Sequence, residues 1–162
     1  YCYDDGVNPS GCEDDQVPFD AEQAGMCLDG VTTLDEDFVA WGAGLGLTLN
    51  EGLNGPQPWN AAARNIIGFK VVITGDSGGL SLRLAFTNSS DPDVIPPMVY
   101  LPGPGEYEVH FDDVAVPDWD FRDPGALTDP TAIYDVQLEI SGGVRYVSYA
   151  FCLTELTPIY DN

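Results

Sequence analysis

Two consecutive stretches with a period of two, between residues 66 and 87, constrain the fold of this chain more than any other feature. Apolar side chains occupy every second position on either side of a glycine-rich turn at residues 75–79. They are Ile67, Phe69, Val71 and Ile73 before the turn, and Leu80, Leu82, Leu84 and Phe86 after it. Successive side chains of a β-strand point to opposite faces, so the pattern indicates strands with one buried face and one outward face. We therefore predict a β-hairpin over residues 66–87.

Shorter segments elsewhere repeat this alternation, and turn sequences rich in Gly and Pro separate them. They cover residues 30–34, 44–49, 98–101, 106–111, 133–140 and 145–156. No segment shows convincing helical periodicity. Many short strands joined by turns are typical of an antiparallel sandwich or barrel. We predict an all-β fold, an antiparallel β-sandwich, that forms one domain over residues 27–162.

The charge of the chain is strongly negative. Asp and Glu number 27 against 5 Lys and Arg, which gives a formal net charge of -22 over 162 residues. Such a surface repels phosphate backbones and anionic lipids, so neither nucleic acid nor membrane insertion is expected. Residues 1–26 are acidic and lack apolar periodicity. We interpret them as a solvated arm or linker, with a calcium-binding loop as the alternative.

Cysteine usage indicates an oxidising compartment. The four cysteines are Cys2, Cys12, Cys27 and Cys152; they contain no CxxC pair, and the single His110 lies far from them in sequence. This pattern argues against a zinc site. It favours disulfides and a secreted, extracellular protein. Four cysteines allow three connectivities, among which we expect Cys2–Cys12 and Cys27–Cys152. Because the chain starts with a residue other than Met, we interpret it as a processed protein or an excised module.

No catalytic motif stands out. There is a single His, no Gly-x-Ser-x-Gly elbow and no glycine loop with Lys for phosphate. So acidic a chain contains many pairs of Asp and Glu by chance, so their presence is no evidence for glycoside hydrolysis. We therefore predict a binding protein rather than an enzyme.

Loop tryptophans and outward polar residues are the best candidates for a binding surface. Sugar binding needs flat aromatic rings with a few polar groups beside them. Trp59 and Trp119 lie in loops, and Arg122 follows Trp119 closely. The alternative for each tryptophan is that it folds back over the edge of the sandwich. The candidates that point outward from predicted strands are Arg83, His110 and Gln137, which would line a polar cleft if those strands share one sheet. Their alternative is an ordinary solvent-facing role.

Several strand and turn sequences together resemble a known group of domains. They are Trp-Gly-Ala-Gly-Leu-Gly-Leu-Thr-Leu-Asn at 41–50, Gly-Phe-x-Val-x-Ile-x-Gly at 68–75, Leu-Arg-Leu at 82–84, Pro-x-Trp at 117–119 and Tyr-Ala-Phe-Cys-Leu-Thr-Glu-Leu at 149–156. Over roughly 27–156 the chain resembles secreted bacterial β-sandwich domains related to carbohydrate-binding modules, common in myxobacteria-like proteins. The resemblance implies a galactose-binding-like jelly roll with a glycan site on its concave face or rim.

The same resemblance implies a structural Ca²⁺ held by oxygens from the start of the fold and from its last strand. In this chain those positions are Asp29, Asp35 and Asp37 with Glu155. Five aspartates between residues 112 and 123 form a denser alternative cluster, which a solvated loop explains equally simply.

Two functions remain in view. The first is a non-catalytic secreted module that binds a polysaccharide or glycan and is stabilised by Ca²⁺. The second is a structural subunit of an extracellular fibre, surface layer or adhesive appendage. In that case the acidic arm or residues 157–162 would add a strand to a neighbouring copy.

Overall fold

The computed structural model describes residues 25–32, 42–53, 55–91, 93–142 and 145–161. Within these ranges the chain is built almost entirely of strands, with two short 3₁₀ turns at Ala62–Arg64 and Phe111–Asp113. None of the helices in these ranges is long and apolar enough to cross a membrane. The strands are β1 (Met26–Val31), β2 (Ala43–Thr48), β3 (Glu51–Gly52), β4 (Gly55–Pro56), β5 (Ile66–Asp76), β6 (Leu82–Phe86), β7 (Met98–Leu101), β8 (Gly105–His110), β9 (Asp135–Ile140) and β10 (Ser148–Tyr160).

Eight of these strands form two antiparallel sheets that pack face to face. The first sheet has the order β1-β10-β5-β8 and the second the order β2-β9-β6-β7, while β3 and β4 form a small separate ribbon. The pairs are nested along the chain, because β1 pairs with β10, β2 with β9, β5 with β8 and β6 with β7. This nesting is the strand order of an eight-stranded jelly roll. The predicted all-β antiparallel sandwich is confirmed.

The predicted β-hairpin over residues 66–87 is wrong in one respect. Both strands exist, but β5 belongs to the first sheet and β6 to the second. Gly78 and Gly79 adopt positive φ angles of 64° and 77°, and the turn carries the chain across the sandwich. Two strands that cover one core from opposite sides show the same alternation as two paired neighbours. The period of two therefore identified the strands but not their partners.

The core lies between the sheets and follows the predicted alternation closely. Phe69, Phe86 and Phe111 form an aromatic centre, with ring centroids 5.3 to 5.9 Å apart. The start of β5 departs from the pattern, because Ile66 is buried and the predicted Ile67 is only half-buried. The register shifts between Ile159 and Tyr160 at this point, so one residue of β5 has no direct partner on β10.

The predicted Cys27–Cys152 disulfide is confirmed. The two cysteines face each other directly in the β1–β10 pair and are separated by 125 positions in sequence. The bridge therefore joins strands from the beginning and the end of the described chain. Cys2 and Cys12, whose pairing we also predicted, lie outside the described residues, as does most of the acidic arm.

The end of the chain has a different role from the one that the assembly hypothesis gave it. Residues 157–160 are the last part of β10 and pair with β5 of their own chain, from Thr157 opposite Lys70 to Tyr160 opposite Ile66. Pro158 lies within this segment and has no backbone N–H to donate, which suits a strand edge. These residues use one edge within their own sheet, whereas β1 ends opposite Leu153 and does not reach their other edge; strand addition to a neighbouring copy stays a prediction.

Removing the disulfide should lower the stability of the fold. A crosslink over 125 positions restricts the unfolded chain, and its loss is expected to reduce the free energy of unfolding by about 2–5 kcal/mol. We expect the double variant Cys27→Ala/Cys152→Ala to unfold at a clearly lower urea concentration than the parent. Val31→Ala, on the same strand and half exposed, is the matched control and should behave like the parent. An unchanged urea midpoint in the double variant would contradict this role.

Candidate functional site

A groove opens between two long connections at one end of the sandwich. One connection, residues 87–97, joins β6 to β7, and the other, residues 111–134, joins β8 to β9. The cavity between them has a volume of about 350 Å³. We call it the loop groove. Its apolar lining includes Val94, Ile95, Pro97, Val116 and Leu127, and its polar lining includes Asn88, Ser89, Asp120, Arg122, Asp123 and Asp129.

The longer connection is held in place by backbone hydrogen bonds along the edge of the second sheet. The Met98 N–H of β7 donates to the Ala115 carbonyl at 2.9 Å, and the Val116 N–H donates to the Ala126 carbonyl at 2.8 Å. Met98 and Val116 are both buried, although neither belongs to the main core cluster. The connection therefore pairs with the edge of β7 at Met98, the first residue of that strand.

Asn88 joins the two walls of the loop groove. Its side-chain N–H groups donate to the Asp129 and Ala132 carbonyls, each at 2.8 Å, and its oxygen accepts from the Asp129 N–H at 3.0 Å. All three bonds reach more than 40 positions along the chain. Because both the amide nitrogen and the amide oxygen are engaged, Asn88 fixes the separation of the two walls.

Arg122 is locked in a planar arrangement at the groove. Its Nε donates to Asp120 Oδ1 at 3.0 Å, its Nη2 donates to Asp120 Oδ2 at 3.2 Å, and its Nη1 donates to the Asp93 carbonyl at 2.6 Å. These hydrogen bonds from Arg122 lower the pKa of Asp120, and the bonds to Asp120 raise the pKa of Arg122. The Arg122 side chain stays 57% exposed while that of Asp120 is 10% exposed. A bidentate pair of this kind fixes both position and orientation.

Exposed aromatic rings alternate with this pair along the chain. Trp119 precedes Asp120 and is 46% exposed, and Phe121 lies between Asp120 and Arg122 and is 92% exposed. The Asp120 N–H donates to the Pro117 carbonyl at 3.0 Å, which forms a turn that ends beside the groove. The structure thus brings two predicted binding residues, Trp119 and Arg122, to the same loop.

The structure gives Trp59, the other predicted aromatic platform, a different environment. Its backbone pairs with Ile133, and its ring packs on the core with a centroid 6.2 Å from that of Phe69. Trp59 is partly buried at this position. It therefore follows the alternative interpretation, in which a loop tryptophan folds back over the edge of the sandwich.

The predicted polar cleft of Arg83, His110 and Gln137 does not form. Arg83 and Gln137 lie on β6 and β9 of the second sheet, whereas His110 ends β8 of the first sheet. All three point away from the core, so His110 is on the opposite side of the sandwich from the other two. The condition for this cleft, one shared sheet, is not met, and alternation within a strand could not reveal this because it does not identify the neighbouring strands.

Arg83 is also far less accessible than an outward strand residue normally is. Its Nη2 lies 3.0 Å from Glu139 Oε2, and the two side chains are only 7% and 10% exposed. The residues face each other directly in the β6–β9 pair. We conclude that Arg83 and Glu139 form a buried ion pair on the outer face of the second sheet.

Two of the predicted calcium ligands, Asp29 and Glu155, belong to the described residues, and they lie far apart. Asp29 pairs with Ala150, and Glu155 lies five residues further along β10, about 16 Å away at the usual rise per residue. Glu155 instead contacts Lys70 at 3.8 Å. Asp35 and Asp37 lie outside the described residues, and within the described ranges no group of three or more His, Cys, Asp or Glu is arranged to hold a metal. The structural Ca²⁺ stays a prediction.

Sequence reasoning missed the wall formed by residues 87–97. Asn88, Ser89 and Val94 show no periodic pattern, and their place at the groove depends on contacts with residues some 40 positions away. No local signal distinguishes such a wall from an ordinary polar loop.

Breaking the buried pair should be costly. Arg83→Met removes the guanidinium that lies 3.0 Å from the buried Glu139 carboxylate, and we expect a loss of about 3 kcal/mol in the free energy of unfolding. The double variant Arg83→Met/Glu139→Leu should recover part of that loss. Lys70→Met is the matched control, because Lys70 pairs with Glu106 at 2.9 Å on an exposed surface where ion pairs contribute little. Chemical unfolding of all three variants tests this, and equal effects of Arg83→Met and Lys70→Met would refute it.

Comparison with known proteins adds no relative. No protein-family model matches the chain, and neither a curated protein nor a solved structure is significantly similar to it. The resemblance to carbohydrate-binding modules therefore stays a prediction made from the residues.

Proposed function

We propose that this protein is a non-catalytic carbohydrate-binding module whose site is the loop groove. The observation that carries the proposal is the arrangement of Trp119 and Phe121, both exposed, around the locked Asp120–Arg122 pair at an apolar-lined groove. A sugar ring has an apolar face that packs on aromatic side chains and hydroxyl groups that need fixed polar partners. The groove supplies the polar groups, and Trp119 and Phe121 lie next to its lining residues Asp120 and Arg122 on the same loop.

The size and rigidity of the groove support the same proposal. A volume of about 350 Å³ lies at the lower end of the range for small-molecule sites and suits one or two sugar rings. Asn88 and Arg122 tie the walls together before any ligand arrives. A preformed site of this kind spends little free energy on ordering itself when it binds.

The place of action that we propose is extracellular. Disulfides such as Cys27–Cys152 are stable in oxidising surroundings and are rare in proteins from reducing ones. The large excess of Asp and Glu keeps copies of the chain apart, which favours a protein that acts in solution or on a polysaccharide that is not anionic.

Binding calorimetry with a panel of soluble oligosaccharides tests the function. We expect at least one member to bind, and Trp119→Ala to weaken its binding about tenfold, equivalent to about 1.4 kcal/mol. Tyr160→Ala is the matched control, because Tyr160 is a similarly exposed aromatic residue at the end of β10 and should leave affinity unchanged. Absence of binding across neutral, basic and acidic sugars would overturn the proposal. Equal effects of the two substitutions would place the site elsewhere and would also overturn it.

A further inference from the structure

We propose that the loop groove selects sugars that carry a free amino group and rejects sugars that carry carboxylate or sulfate groups. This inference rests on the proposed function and adds the chemical class of the ligand. It follows from which hydrogen-bonding and charged groups of the groove are already occupied and which remain open to a ligand.

The positive charge of the groove, on Arg122, already interacts with groups of the protein itself. Arg122 is the one Lys or Arg among the described residues that line it, and each of its three side-chain nitrogens donates to Asp120 or to the Asp93 carbonyl. An acidic sugar would have to compete with the bidentate carboxylate of Asp120, which is nine-tenths buried and already in place. Three of the five N–H groups of Arg122 are thus used within the protein and Asp120 balances its charge, so Arg122 attracts an anionic sugar only weakly.

The neutral donors of the groove are occupied as well. Both donor contacts of Asn88 go to backbone carbonyls of the opposite wall, and the Thr87 hydroxyl donates to Asp135 at 3.3 Å. Among the neutral side chains that line the described groove, Ser89 offers a remaining hydroxyl, whose oxygen already accepts from the Asp91 N–H. A ligand that brings only acceptors therefore finds few partners.

Acceptors, in contrast, remain open. The Asp123 carboxylate is exposed and makes no hydrogen bond or ion pair with another described residue. Asp129 Oδ1 accepts from the Thr131 N–H and hydroxyl, and these bonds lower the pKa of Asp129 and keep it ionised. Hydroxyl and ammonium groups are the donors that such carboxylates require.

Charge decides between those two donors. The lining has three carboxylates, Asp120, Asp123 and Asp129, and one guanidinium, which Asp120 neutralises. Asp123 and Asp129 are left as two uncompensated negative charges at the groove. An ammonium group gains Coulomb energy from both, whereas a carboxylate or sulfate is repelled by both and loses water in the process.

A chain with a net charge of -22 attracts any polycation, so the experiment must separate selection by the groove from general attraction. We would measure the affinities of three oligomers of equal length by calorimetry: glucosamine, N-acetylglucosamine and galacturonic acid. Asp123→Asn removes one open carboxylate from the groove. Glu108→Gln, on the exposed edge strand β8 of the other sheet, removes one carboxylate elsewhere and is the matched control.

We expect the glucosamine oligomer to bind at least tenfold more tightly than the acetylated oligomer, and the galacturonic acid oligomer not to bind. Asp123→Asn should weaken glucosamine binding about fivefold or more and leave the acetylated oligomer unaffected, while Glu108→Gln should change neither. Equal losses in the two variants would mean general attraction and would overturn the inference. Equal affinity for the amino and acetylated sugars would also overturn it, while the carbohydrate-binding function would stand. If no sugar in this set or the wider panel binds, both proposals fail.

Discussion

The pairing of β10 with both β1 and β5 is the interaction on which the rest of this structure depends. β10 is the longest of the described strands; its residues 148–153 pair with β1 and its residues 150–160 pair with β5. Because β1 opens the described sandwich and β10 closes it, the first sheet is complete only when these two distant parts of the chain meet. The disulfide between Cys27 and Cys152 secures this contact, which is the most distant in sequence and the most costly in chain entropy.

The loop groove is a consequence of how the jelly roll treats its second sheet. β7 ends this sheet, and the connection between β8 and β9 returns across its exposed edge through the Met98–Ala115 backbone contact. Covering the edge places this connection against residues 87–97, and the groove lies between the two. A requirement of stability, to satisfy an open strand edge, thus builds the walls of the candidate site.

Charged residues on the strands and charged residues at the loop groove differ in how completely they are paired. The few basic residues at described strand positions are paired: Arg83 with Glu139 in a buried pair, and Lys70 with Glu106 at the surface. Arg122 is paired as well, so the acidic groups around the groove are only partly neutralised. The buried Arg83–Glu139 pair joins β6 to β9, whereas the Asp123 carboxylate stays exposed at the loop groove.

The sequence by itself determined the class of fold and most of the core residues, because a period of two is typical of strands that cover an apolar layer. It also predicted the Cys27–Cys152 disulfide and located Trp119 and Arg122 in one loop. Only the tertiary structure decided which strands are neighbours, since the alternation of β5 and β6 is the same whether they share a sheet or face each other. In the tertiary structure His110 and Arg83 lie in different sheets, Arg83 is buried beside Glu139, and the Trp59 ring packs on the core. A local sequence pattern indicates which side chains are buried, whereas the position of a loop depends on contacts with residues that are distant in sequence. The loop groove lies between two loops without a periodic pattern, so it could be found only from the tertiary structure.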